Sequence, residues 1–264
     1  MDNRFRNFAL SFAPDSRLVS DVAPSPNHEA RAGGRAPDLL LLHYTGMQSS
    51  LKALARLRDA NEPRVSSHYF VDEEGTILQL VPEARRAWHA GVAFWAGERD
   101  INSCSIGIEI GNPGHDFGYP DFPPHQVGAV IALCKDIVAR NRIPAARVLA
   151  HSDVSPGRKQ DPGEKFPWRQ FHEQGVGHWV EPAPLEDAPF LGAGDCGNGV
   201  SELQMQLSDY GYGISVTGSY DAATRDVVIA FQRHFRPARV DGVADLSTRK
   251  TLSALLAARP VIAA

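Results

Sequence analysis

The chain is poor in cysteine. Its 264 residues hold three, Cys104, Cys134 and Cys196, widely spaced, odd in number and free of any Cys-x-x-Cys pair, which excludes a disulfide framework and a thiolate metal site. A single disulfide stays open, and a reduced compartment is the simpler reading. Excess positive charge is missing as well: 27 Lys and Arg stand against 31 Asp and Glu, for a formal charge of −4. There is therefore no broad positive field for nucleic acid or an anionic membrane. Long apolar runs are also absent. No stretch approaches the roughly 20 apolar residues of a membrane span, and Met1 to Leu10 mixes Asp, Asn and Arg among its apolar positions instead of forming a signal-peptide core. The protein is thus expected in the cytoplasm, or in the periplasm or cell envelope if a leader has been removed. What is present, 43% apolar and 22% charged residues, is a globular composition long enough for one large domain and one small one.

Residues 1–36 are rich in Pro, Ser, Ala and Gly without a period and read as an irregular arm. From 37 to 172 strands and helices intermix. Asp38 to Tyr44 is a continuous apolar run, as in a strand buried on both faces. Ser49 or Ser50 can cap a helix through Leu57. Ser67 to Val71 and Thr76 to Val81 flank Asp72-Glu73-Glu74-Gly75, a hairpin signal. Ser105 to Ile110 alternates as a strand, Pro124 to Arg142 repeats apolar residues at helical spacing, and Arg147 to His151 returns as a strand. An α/β sheet covered by helices is the expectation. Residues 173–198 turn to Gly, Pro and acidic residues and read as a linker. In 199–264, Gly218, Asp221, Thr224 and Arg225 recur 24 positions later as Gly242, Asp245, Thr248 and Arg249, each Asp placed to cap a helix. About three short helices result, without a catalytic cluster, so a binding module is expected there.

The chemistry gathers in the α/β part. Leu39 to Leu42 ends in His43, Val148 to Ala150 ends in His151, and Asp161 follows. Two imidazoles and a carboxylate with a fourth position open are the ligand set of a hydrolytic Zn²⁺, one per chain. Singly, each residue has a plainer explanation: a histidine can be a satisfied core group, and Asp161-Pro162-Gly163 is a turn signal. Two further residues shift the balance. In Ser105 to Ile110 three isoleucines share one face, and Ser105, Gly107 and Glu109 share the other; small residues beside a carboxylate leave room for something to approach Glu109. Lys159 points the same way as Asp161 if Ser155 to Asp161 is extended, which puts an ammonium beside the site where negative charge develops. Trp88 and His89 can line a cleft for a sugar or peptide face, with core packing an equal prospect for Trp88. His68 reads as structural, and His28, His115, His125, His172, His178 and His234 receive no role. A rival arrangement takes His151-Ser152-Asp153 as the His-x-Asp of an iron oxygenase.

The ordered set Leu-His-Tyr-Thr-Gly (42–46), Ser-His-Tyr-Phe-Val (67–71), Ala-Trp-His-Ala-Gly (87–91), Ser-Ile-Gly-Ile-Glu (105–109) and His-Ser-Asp-Val-Ser-Pro-Gly-Arg-Lys-Gln-Asp-Pro-Gly (151–163) resembles the zinc-dependent N-acetylmuramoyl-L-alanine amidases, which share their fold with peptidoglycan recognition proteins. The resemblance implies a mixed central sheet flanked by helices, zinc on His43, His151 and Asp161, catalysis by Glu109 and Lys159, and Trp88 and His89 in the substrate groove. It implies hydrolysis of the amide bond between N-acetylmuramic acid and L-alanine, with peptidoglycan fragments or muropeptides as partners. Residues 199–256 resemble the three-helix peptidoglycan-binding domain through the Gly-x-x-Asp-x-x-Thr-Arg repeats and Phe231-Gln232. A non-catalytic wall-binding protein is the alternative. Absence of a leader favours soluble muropeptides in the cytoplasm, whereas the C-terminal module favours polymeric wall.

Overall fold

A computed structural model describes residues 12–259; the leaderless reading of Met1 to Leu10 lies outside them. The chain opens with β1 (Asp21–Val22) and β2 (His28–Ala30), then β3 (Leu39–Tyr44) and α1 (Ser50–Leu57). β4 (Tyr69–Val71) and β5 (Ile77–Gln79) form the expected hairpin, β6 (Arg85–Ala87) pairs with β2, and α2 (Ile101–Cys104) leads into β7 (Ser105–Ile110). After α3 (Pro124–Asn141) come β8 (Val148–Ala150), α4 (His151–Val154) and α5 (Trp168–Glu173); α6 (Asn198–Tyr210), α7 (Ala222–Phe235) and α8 (Leu246–Ala258) follow the linker. Six strands make one mixed sheet in the order β1-β5-β4-β7-β3-β8. Its middle, β4-β7-β3-β8, is parallel, while β5 runs antiparallel to β4.

Local chemistry explains the boundaries. Ser49 caps α1 by accepting from the Lys52 N–H. In the hairpin turn the Asp72 carboxylate accepts the N–H groups of Glu74 and Thr76, and Gly75 supplies φ +79°. α3 starts with a proline at its first position and ends at Arg142, in left-handed backbone. Parity along the strands then sorts the core. Leu40, Leu42, Ile106, Ile108 and Ile110 bury against α3, whose Val127, Val130, Ile131, Cys134 and Ile137 face them. On the opposite side Leu39, Leu41 and Leu149 bury in one cluster with Leu203, Leu207, Phe231 and Leu252 of the C-terminal helices. The sheet is therefore flanked on both faces, and the C-terminal unit supplies one of the covers.

The leading arm departs from its reading as irregular. β1 extends the sheet edge beside β5, β2 makes a second ladder with β6, and the buried Arg31 donates to the carbonyls of Glu83, Asn102 and Ser103. Two- and three-residue strands carry too few positions to show a period, and their partners come from elsewhere in the chain. The cysteines are all free, Cys104 and Cys134 buried and Cys196 exposed. Among the described residues no helix is long and apolar enough to cross a membrane.

Candidate metal centre

Three neighbouring parallel strands end at one corner, where open α/β sheets place their ligands. β3 delivers His43, in register with Glu109 of β7, and β8 delivers His151. His151 is not the last residue of that strand, as expected, but the first of α4, so the chain turns as the imidazole enters the site. His43 Nδ1 lies 2.9 Å from His151 Nδ1, and each nitrogen lies 3.0 Å from Asp161 Oδ2. All three residues are buried. The Ser152 N–H donates to the Asp161 carbonyl, tying the two ligand segments together.

The remaining ring nitrogens decide what this triangle holds. His151 Nε2 donates to the Ala90 carbonyl at 3.0 Å, which leaves its Nδ1 a lone pair. For His43 the assignment follows from a chain of donors. The Ser105 hydroxyl gives its proton to the Ile101 carbonyl (2.6 Å), so Ser105 Oγ accepts from His89 Nε2 (3.2 Å). His89 Nδ1 then accepts from His43 Nε2 at 3.0 Å, and His43 Nδ1 is left bare. Burial, with His151 next, lowers the His43 pKa to about 4, so its lone pair is free throughout the neutral range. Burial opposes ionisation of Asp161, yet His151 and His43 hold its carboxyl well below the ordinary range. Two imidazole nitrogens and a carboxylate oxygen thus converge on one point, an arrangement that could hold a metal ion. The donor set fits a divalent ion, zinc included.

Glu109 stands beside the triangle, partly buried, with an Oε2 that has no partner among the described residues. Burial first and the Asp161 charge second push its pKa up to about 8, against the pull of Lys159. Lys159 lines the same cleft, of about 360 Å³, together with Trp88, His43, His151 and Asp161. Its segment is not extended, however. Residues 155–158 form a turn in which the Lys159 N–H donates to the Ser155 carbonyl, and Gly157 sits at φ +74°. Trp88 is half-buried on the cleft wall, its indole N–H on Glu29 and the Arg64 guanidinium 5.2 Å from its ring.

His89 lines the cleft and is at the same time a buried support. It stands behind His43, and the space expected over Gly107 is filled by its imidazole: a Cβ there would come within 2.6 Å of His89 Nδ1. The small residues at 105 and 107 were the available signal, since a ring packed on a strand needs such a floor. Two histidines given no role also have one. His115 bridges the Tyr44 hydroxyl and Glu164 at the rim, and His234 bonds Asp153. That contact also removes the iron-oxygenase arrangement, because the Asp153 carboxylate is occupied by the Ala150 N–H, Tyr212 and His234, away from His151 Nδ1. Arg158, unnoticed in the sequence, clamps the Ala90 and Val92 carbonyls at the cleft edge.

Comparison with known proteins agrees with this geometry. Residues 33–164 match the family described as N-acetylmuramoyl-L-alanine amidase, and residues 196–252 match a peptidoglycan binding domain. The N-acetylmuramoyl-L-alanine amidase AmiD of Escherichia coli is 37% identical over 245 residues, 86% of this chain and 85% of the relative. The 1,6-anhydro-N-acetylmuramyl-L-alanine amidase AmpD of the same organism is 32% identical over 169 residues, 56% of this chain and 87% of AmpD. The solved complex of AmiD with anhydro-N-acetylmuramic acid-L-Ala-D-gamma-Glu-L-Lys superimposes with a TM-score of 0.73, covering 87% of this chain and 92% of the other. AmpDh3 of Pseudomonas aeruginosa, in complex with an anhydromuramic pentapeptide, superimposes with a TM-score of 0.71 at 28% identity, over 96% of this chain and all of the other.

Proposed function

The chain belongs to the N-acetylmuramoyl-L-alanine amidase family, and from that premise we propose that it cleaves the bond between the lactyl group of N-acetylmuramic acid and L-alanine with one Zn²⁺ held by His43 Nδ1, His151 Nδ1 and Asp161 Oδ2. The observation that carries the reading is the triangle of bare ligand atoms, 2.9 to 3.0 Å on each side, with the far nitrogen of each imidazole already bonded. When bound, such an ion lowers the pKa of water from about 15.7 to about 7 and polarises a carbonyl oxygen.

The protein's own groups do the rest. Glu109, with its free Oε2 and raised pKa, takes a proton from the attacking water and passes it to the leaving amine of L-alanine. Lys159 turns its ammonium toward the negative charge that develops on the amide oxygen. His89 and Ser105 hold His43 in the tautomer that binds metal. Trp88 offers a flat half-apolar wall to the sugar or the stem peptide.

Substrates are peptidoglycan fragments, the class carried by the two relatives solved with ligand. Release of free peptide from a purified muramoyl peptide is expected, abolished by a chelator and restored by zinc. Release that survives chelation sinks the metal reading. Turnover on intact sacculi against soluble anhydro-muropeptides, measured side by side, decides which form of the substrate the enzyme serves.

A further inference from the structure

The C-terminal helices reach the metal corner through one carboxylate. Asp153 is fully buried two residues after His151, within the single turn of α4. Its Oδ2 accepts the Ala150 N–H at 2.8 Å and the His234 Nδ1 proton at 2.6 Å; its Oδ1 accepts the Tyr212 hydroxyl at 2.7 Å. Only the first donor belongs to the amidase part. Tyr212 follows α6 and His234 lies in α7, so two of the three bonds come from the C-terminal unit. His234 is held in turn, its ring stacked 3.7 Å from Trp168 on one side and 3.7 Å from Phe235 on the other.

The second ligand segment leans on the same helix. Arg233 donates to the Gln160 side chain at 3.3 Å, next to Asp161, and Gly157 approaches α7 so closely that a Cβ there would lie 2.4 Å from Asp226. A four-residue helix has no stability of its own, and a buried carboxylate stripped of donors is costly. Without Tyr212 and His234 the Asp153 carboxylate keeps one donor, the Ala150 N–H, at the start of the turn carrying His151.

We propose that the C-terminal unit is a working part of the metal centre: Tyr212 and His234 are positioning residues that act through Asp153 to fix the turn presenting His151 Nδ1. The inference rests on the metal reading above and assigns this unit a task separate from any grip on the cell wall. Its test is zinc affinity in the full-length chain, measured by competition with a chromophoric chelator, beside the visible spectrum of the Co²⁺ form. His234→Phe keeps the stacked ring and removes the donor; it is expected to weaken zinc binding by about 10- to 100-fold and to shift the Co²⁺ bands. Tyr212→Phe should give a smaller loss in the same direction, and His234→Asn, which keeps a donor, should recover part of it. Met205→Ala, on the exposed side of α6, should change nothing.

A folded His234→Phe protein that binds zinc within about twofold of the parent, with an unaltered Co²⁺ spectrum, overturns the proposal. Should that variant fail to fold, Tyr212→Phe decides by the same readout, and parent-like affinity overturns it. If the parent itself takes up no zinc, the metal reading falls instead. Amide hydrogen exchange at residues 151–154 of the metal-free chain then decides the buttress: faster exchange in the variant supports it, equal exchange removes it.

Discussion

The metal corner and the C-terminal helices use polar side chains in opposite ways. In the helices each key group is closed on its neighbours. Gln204 donates to the Ser219 carbonyl and the Thr224 hydroxyl and accepts the N–H groups of Thr217 and Gly218. Gln232 repeats the pattern with the Val243 carbonyl, Thr248, Asp241 and Gly242. Asp221 and Asp245 cap the helices through Thr224 and Thr248. Each turn of the repeat is thereby latched to the helix before it and the helix after it. At the metal corner two imidazole nitrogens and a carboxylate oxygen converge within 3.0 Å of one another, and Glu109 Oε2 has no partner among the described residues. A closed polar cluster is architecture; a convergent one of metal-ligating types can hold an ion.

Breaking each region should therefore cost different things. The largest effect is expected from Asp161→Ala, which should lose the metal and with it about 10³-fold or more in activity, since several kcal/mol of transition-state stabilisation go with the ion. Metal analysis checks it, and a variant that keeps one zinc per chain shows the wrong carboxylate was chosen. Glu109→Gln should keep the metal and lower kcat by about 10²- to 10⁴-fold; full activity would remove Glu109 from the proton path.

The same variant sharpens the contrast in the metal-free protein. Glu109 has a folded pKa of about 8, above its ordinary 4.5, so between these values the folded state binds the extra proton. Its favourable contribution is complete below about pH 4.5 and is lost as pH rises through about 8. Metal-free Glu109→Gln should match the parent at pH 4 and exceed it by about 1–3 kcal/mol at pH 8 in denaturant titrations, a range discounted for partial exposure. A constant gap across this range would mean the carboxyl is not strained by burial. On the other side, Gln204→Ala should leave kcat alone and destabilise by about 1–3 kcal/mol, because the Thr217 and Gly218 N–H groups lose their acceptor. A loss of activity larger than the loss of folded protein would show that the latch does more than hold the turn.

Much of this was legible in the order of residues. Continuous apolar runs at 39–42 and 148–150 mark buried parallel strands by their length and composition, and metal-ligand chemistry at their ends marks a corner of the sheet. The alternation in Ser105 to Ile110 gave the correct faces. The helical repeat was visible too, because caps are local chemistry between residues three apart. Other features depend on meetings across the chain. His234 lies 81 residues from the aspartate it bonds, and nothing near it in sequence marks it as different from a surface histidine. His89 reads as a groove residue and lines the cleft, but its support of His43 depends on Ser105 and Gly107, strand residues that only the fold brings beneath it. The condition that Ser155 to Asp161 be extended fails at Pro156-Gly157, itself a turn signal, although Lys159 and Asp161 both line the cleft.

One consequence follows from the core that runs unbroken from Leu39, Leu41 and Leu149 into Phe231 and Leu252. Modular enzymes can be cut at their linkers and the pieces studied apart, because each piece keeps its own oil-free exterior. Here a break in the 173–198 stretch would strip one face of the catalytic sheet and leave a leucine-rich wall in water. The two parts should accordingly melt together, in a single cooperative transition, and an amidase fragment prepared alone would need new polar residues on that wall before it stayed in solution.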